Sequence, residues 1–309
     1  MNIIKQKNIY YLISAMVIIP GLISLLLFGL NPSIEFTGGS RLDLAIKNVK
    51  VHPTRDDIKS VIEKEKVKVL TVVSPSKQTY VVRTSPISEE KNKEIVSALS
   101  KKYPGITKTS FQTVGATIGR ETETNALKAV VIASVAILGY IAFVFRKVSK
   151  PVSSWKYGVC AIIALLHDVL LVAGIFSLLG HFFHIEVDSL FITALLTVMG
   201  FSVHDTIVVF DRIRENLSKH SGLPYEKIVN NSILETLNRS LNTSVTVTLV
   251  LFMLFLFGGE NTRWFVVALL IGIISGTYSS IFNASPLLVS WYEFDKRSFS
   301  SDKKISKHK

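Results

Sequence analysis

The stretch SLFITALLTVMGFSVHDTIVVF, Ser189 to Phe210, decides the fold. It is apolar over the roughly 20 helical residues that a hydrocarbon core of about 30 Å requires, yet it contains Asp205. An ionisable side chain inside such a span costs about 2.5 to 3.5 kcal/mol on insertion scales, which marks it as a candidate functional group.

Five further apolar runs of spanning length occur, at Ile9–Leu30, Ala126–Phe145, Tyr157–Leu179, Leu241–Phe257 and Trp264–Leu288. In a chain of 309 residues, a hydrophobic fraction of 48% and a mean hydropathy of +0.39 exceed what a water-soluble core needs. The expected architecture is six transmembrane helices with one α+β domain between the first and second. The segments are residues 1–30 (N-terminus and first span), 31–123 (the domain), 124–291 (spans two to six) and 292–309 (a basic tail). The first run is longer than a signal-peptide core of about 7 to 15 residues, and Asn31-Pro32-Ser33 offers no small-residue cleavage site, so it reads as a retained anchor.

The formal charge of +12 follows topology. Lys5 and Lys7, then Arg146, Lys147, Lys150 and Lys156, then Arg212, Arg214, Lys219 and Lys227, then Lys296, Arg297, Lys303 and Lys304 fall at one membrane border, whereas the opposite short loops carry only Arg263. The positive-inside rule puts both termini in the cytoplasm and the domain outside, in a multi-pass plasma-membrane protein. Basic residues at membrane borders, facing lipid headgroups, exclude a nucleic-acid partner, which would need them on one folded face among aromatics. Cys160 lies in a span and reads as packing.

Between Asn31 and Glu123 the pattern changes to short alternating and amphipathic stretches. Arg41–Ile46, Lys68–Val73, Gln78–Thr84 and Thr107–Val114 read as strands, with a turn at Ser74–Lys77. Pro53–Lys66 and a segment capped by Ser88 read as helices. The order strand, helix, strand, strand, helix, strand is the ferredoxin-like arrangement. His52 reads as solvent-facing. Gly38 and Gly39 before the first strand, and Gly115 and Gly119 before span two, are candidates for hinges or for simple turns.

Inside the membrane, Thr193, Thr197, Gly200 and His204 form a polar stripe beside Asp205. Arg239 enters span five at a matching depth, followed by Asn242, Thr243 and Thr246, so an Asp205–Arg239 contact is expected. A nearby cation and burial act on such a carboxylate in opposite directions, which makes it switchable. A static pair joining two helices is the alternative. His167 and Asp168 in span three read as an interhelical hydrogen bond, with a second relay site as the alternative, and Gly272, Gly276 and Ser280 in span six as close helix packing. There is no phosphate loop, catalytic triad or zinc spacing, so no cofactor, metal or enzymatic activity is expected. The transmembrane gradient, about 2.3 kcal/mol per charge per 100 mV, is the energy source left.

The segments Phe36-Thr37-Gly38-Gly39, Val114-Gly115-Ala116, His167-Asp168-Val169, Gly200 to Asn216, Glu235 to Ser244 and Gly276 to Phe282 resemble, in order, the SecF branch of the SecD/SecF family, itself related to the resistance-nodulation-division transporters. The resemblance covers nearly the whole chain. It implies a SecD partner in trans, docking on the SecYEG channel, with SecA acting from the cytoplasm, YajC and YidC as further neighbours, and proton flow promoting late export of unfolded polypeptide. It implies proton conduction by Asp205 and Arg239. His204 and Phe201 stand where the family often has Asn and Tyr, which raises a titratable His204 as a modulator of the relay. The competing readings are a non-conducting scaffold for SecD and the channel, and a lipid or small-molecule exporter of the same superfamily.

Overall fold

The structure is a computed structural model, and it describes residues 2–46, 53–76, 78–146, 152–220 and 222–305. His52, Lys77, Lys147 and Lys150 lie outside the described residues. Six helical segments are long and apolar enough to cross a membrane, matching the six expected spans. They are α1 (Lys7–Phe28), α5 (Ala116–Val144), α6 (Ser154–Phe183), α7 (Ser189–Lys219), α8 (Tyr225–Phe257), and the pair α9 (Arg263–Ser279) and α10 (Ser285–Ile305) joined by a π-helical turn at Ser280–Ala284. Several helices outrun their apolar stretches. α8 begins at Tyr225 rather than near Leu241, because an apolar run reports the thickness of lipid and not the end of the helix.

The chain forms two compact units: residues 1–29, 130–178 and 190–309, and residues 30–129 with 179–189. The first is the helical bundle. Its interior holds Tyr157, Phe145 and Phe210, with Phe210 edge-on to the other two rings at 5.3 and 5.8 Å between centroids. Leu26 on α1, Ile132 on α5 and Val250 on α8 stay exposed, as the lipid-facing side of a bundle requires. Gly272 of α9 sits against Val198 of α7 so closely that an added Cβ would lie 2.7 Å from Val198 Cγ1.

The second unit contains the α+β domain. After a single helical turn, α2 (Ile34–Thr37), come β1 (Gly39–Ile46), α3 (Arg55–Lys64), β2 (Val69–Ser76), β3 (Thr79–Thr84), α4 (Glu89–Lys102) and β4 (Ile106–Val114). The antiparallel sheet has the order β2-β3-β1-β4, which is the ferredoxin-like topology. Strand β2 continues through Ser74–Ser76, where a turn was expected, because Ser76 still pairs with Thr79. Thr54 and Asp57 form a reciprocal capping box on α3, and Ser88 caps α4 through Lys91 N. Leu42, Leu44, Ile58, Ile62, Val82 and Leu99 fill the space between helices and sheet.

The glycines at the domain root lie where backbones cross. Gly38 and Gly39 have φ of +70° and +119°, open to glycine at little cost. A Cβ on Gly38 would meet Ala116 Cα at 2.8 Å, and one on Gly119 would meet Gly38 N at 2.6 Å. The chain leaving the domain therefore packs on the chain entering it. Gly115 has open space around it. The same unit takes in residues 179–189, the end of α6 with the loop after it: Ser33 N donates to Val187 O and Val187 N to Asn31 O, each at 2.8 Å. Glu186 lies between Arg41 and Arg83 at 3.5 and 3.6 Å. Burial pushes its carboxyl above the ordinary value of 4.5, opposed by Arg83 and Arg41.

Two expectations follow. Gly272→Ala should lower the thermal midpoint of the purified protein by overpacking, at about 1 to 3 kcal/mol, with partial recovery in Gly272→Ala/Val198→Ala; no recovery in the double variant would mean that the two sites do not share a contact. A carboxyl held above its unfolded value adds stability that is present at low pH and lost as pH rises through the raised value. Glu186→Gln should therefore gain stability relative to wild type as pH climbs from about 4.5 upward, and a difference in melting temperature that stays flat across that range would contradict it.

Candidate proton-carrying site

Helix α7 turns one face inward, with Phe191, Val198, Ser202, Asp205, Thr206 and Val209 buried, and another outward, with Thr193, Thr197, Gly200 and His204 exposed. The 3.6-residue period separates the two faces, and Asp205, one residue beyond the exposed stripe, falls on the buried side. It is 3% exposed and its Oδ2 has no hydrogen-bond partner among the described residues. The hydroxyls of Ser240 on α8 and Thr277 on α9 lie beside it. Ser240 Oγ is also buried without a partner, while Thr277 Oγ1 is 2.5 Å from Ser244 Oγ.

Arg239 does not reach this carboxylate within the chain. It is exposed on α8 and makes no ion pair with Asp205 among the described residues. Its depth agrees with the sequence expectation and its azimuth does not: Ser240, about 100° further round the helix, is the residue that faces Asp205. Arg239, Asn242, Thr243 and Thr246 form an exposed polar stripe on α8, and the hydroxyls of Thr243 and Thr246 donate back to Arg239 O and Asn242 O at 2.9 and 3.0 Å.

Asp168 of α6 has the opposite environment. It is fully buried. Oδ2 accepts from Ser202 of α7 and Ser279 of α9, and Oδ1 accepts from Ser275 of α9, all at 2.6 Å; His167 Nδ1 lies 2.9 Å from Oδ1. Gly276 makes room for this knot, since its added Cβ would lie 3.1 Å from Ser202 Cβ and 3.6 Å from Asp168 Oδ2. One turn on, Ser280 Oγ lies 2.9 Å from Thr206 Oγ1 and donates to Gly276 O at 2.8 Å, at the start of the π-helical turn. The interhelical hydrogen bond expected of His167 and Asp168 is thus a junction of three helices. Sequence reading missed Ser202 and Ser275 as its donors, and Ser240 and Thr277 as the neighbours of Asp205. The available signal was the four-residue spacing of Ser275 and Ser279, which stacks two hydroxyls on one helix face.

Chemically the two carboxyls differ. Asp168 has its acceptor positions filled, which suits a fixed joint; Asp205 has an open oxygen among hydroxyls that can rotate, which suits gain and loss of a proton. Among the described residues no group of three or more His, Cys, Asp or Glu is placed to hold a metal ion. Asp168→Ala would orphan buried hydroxyls at about 1 to 3 kcal/mol each, so it should melt the bundle at clearly lower temperature, with Asp168→Asn recovering part of the loss. A wild-type melting curve for Asp168→Ala would show that the knot carries no stability.

Comparison with known proteins places these residues in a family. Residues 94–294 match the family described as "Protein export membrane protein SecD/SecF, C-terminal", and residues 23–48 match the "SecD/SecF GG Motif", which spans Gly38 and Gly39. The chain is 47% identical over 307 residues to the protein translocase subunit SecF of Thermobaculum terrenum, covering 95% of each, and 42% identical over 293 residues to that of Anaerolinea thermophila, covering 94% of each. It is 40% identical to the protein translocase subunit SecDF of Thermus thermophilus, covering 85% of this chain and 35% of the relative. The crystal structure of the Thermus SecDF, a translocon-associated membrane protein, superposes with a TM-score of 0.80 at 33% identity, over 95% of this chain and 39% of that one. A SecDF structure in a super-membrane-facing form matches with a TM-score of 0.69 at 34% identity, over 98% and 40%. With its family match over residues 94–294 and full-length SecF relatives, the chain belongs to the SecD/SecF family of protein-export membrane proteins.

Proposed function

We propose that this chain is the SecF subunit of the Sec protein translocase and that, with SecD, it uses the proton gradient to promote polypeptide translocation after the ATP-driven SecA step. The observation that carries the reading is the buried carboxylate of Asp205, whose Oδ2 has no hydrogen-bond partner among the described residues, in a bundle of this family. Proton uptake there would let the open Oδ2 and the unpartnered Ser240 hydroxyl exchange partners between two states of α7 and α8. A proton affects the equilibrium only through a difference in binding between those states.

SecD is the partner in this reading. The chain covers 35% of the fused Thermus relative, and it leaves two polar stripes exposed on membrane-crossing helices, Thr193-Thr197-Gly200-His204 on α7 and Arg239-Asn242-Thr243-Thr246 on α8. Polar groups facing lipid are costly, so a second membrane protein covers them, and Arg239 joins the relay at that junction, with His204 at its edge. Both termini are cytoplasmic and the α+β domain is outside, as the positive-inside rule has it. The domain meets the exported chain, and SecYEG, SecA, YajC and YidC complete the assembly. Thr197, Asn242, Thr243, His167 and Asp168 tune the relay from the neighbouring turns.

A scaffold role has one observation in its favour, the closed Asp168 knot, which needs no moving proton. The two readings part in inverted vesicles carrying the assembled complex. Asp205→Asn should reduce translocation to the level seen with the gradient collapsed while SecD still co-purifies, and Arg239→Ala should behave alike. Gradient-stimulated export that survives both substitutions would leave only the scaffold.

A further inference from the structure

Helix α7 begins at Ser189 and runs unbroken past Asp205, about 24 Å along the axis at 1.5 Å per residue. The loop leading into it is held by the segment between α1 and β1 and by two strands of the sheet. The backbones of residues 31–33 and 187 exchange two hydrogen bonds of 2.8 Å around a parallel bridge between Pro32 and Val187. Glu35 Oε2 accepts from Ser189 N, the first amide of α7, at 2.9 Å. Glu186 stands between Arg41 of β1 and Arg83 of β3, whose Nη2 also donates to Pro32 O at 2.7 Å. Asn31 Nδ2 donates to Ile185 O, and His184 adopts a φ of +56° where the chain bends into the clamp. Val187 is 4% exposed.

We propose that Glu35 and Glu186 are positioning residues that clamp the loop 184–189 to the α+β domain, so that the start of the Asp205 helix and the root of the sheet move as one piece. The sheet is grasped at adjacent positions of its two central strands, since Arg41 and Arg83 are paired across β1 and β3. A pull on Ser189 thus enters the middle of the sheet rather than a free loop. The other charged groups that face Glu186 are Asp43 and Asp188. Its contacts with the arginines exceed hydrogen-bond length, and both Glu186 Oε2 and Arg83 Nε are buried without a hydrogen bond. A buried ion pair of this kind fixes register more than it adds stability, which agrees with the burial-raised carboxyl of Glu186.

The role of the clamp rests on the function proposed above, and its test separates the two. In vesicles with the full complex, Glu35→Ala/Glu186→Ala, which removes both acceptors, should lose gradient-stimulated export while keeping wild-type proton uptake and wild-type co-purification with SecD. Wild-type export by the double variant, or proton uptake lost in step with export, would overturn the clamp. A second variant, Pro32→Cys/Val187→Cys, places thiols on neighbouring strands about 4.8 Å apart, within disulfide reach, while Cys160 is buried and does not compete. Oxidation should leave export unchanged, because the clamp stays shut throughout the cycle. Export that stops on oxidation and returns on reduction would show that it opens. Asp205→Asn run alongside reports on the proton reading alone; the cross-link arm decides the clamp whichever way that control falls.

Discussion

The bundle is organised by the need to satisfy a carboxylate with no access to water. Asp168 sits fully buried where α6, α7 and α9 meet, and serine hydroxyls from α7 and α9 supply donors that lipid cannot. The geometry this demands propagates outward. Ser275 and Ser279 must share a face of α9, Gly276 between them must lack a side chain, and Ser202 of α7 must come close enough to donate. Once α7 is fixed there, Asp205, close to one turn further on, is fixed too.

Two aspartates in one bundle therefore have different freedoms for a geometric reason. The Asp168 hydroxyls point at it from several directions, so rearranging one bond leaves the rest. The Asp205 carboxylate lies beside the hydroxyls of Ser240 and Thr277, and its Oδ2 has no hydrogen-bond partner among the described residues. In a dry interior a fully satisfied polar group is held rigidly, whereas an unpaired oxygen is costly and is not fixed by bonds of its own. The π-helical turn at Ser280–Ala284 lies at the same level, beginning at the residue that meets Thr206. Such turns interrupt the regular ladder of an α-helix and are frequent at functional sites.

The spans, the ferredoxin-like order, the Ser88 cap and Asp205 itself were legible in the sequence because each depends on local period or on a charge in an apolar run. What escaped depends on azimuth between helices. Arg239 was placed at the right depth but faces away from Asp205, and only packing of α8 on α9 determines that Ser240 takes its place. Ser202 was not among the stripe residues read from the sequence, and it lies on the other side of α7 from Thr197 and His204, inside the Asp168 knot. The stretch His181–Asp188 looked like a short connection, whereas residues 179–189 belong with the α+β domain through backbone bonds that carry no side-chain signature.

That last attachment alters the role of the glycines at the domain root. Gly38 and Gly119 cross at backbone contact, and Asn31–Ser33 is paired with Val187, so the chain entering the domain is braced on both sides before β1 begins. A free hinge at Gly38-Gly39 would have to break both contacts at once. The same segment also holds the start of α7, the helix that carries Asp205, since Glu35 Oε2 accepts from Ser189 N. In this arrangement Gly38 and Gly119 allow the chains entering and leaving the domain to cross at backbone contact, where any side chain would collide.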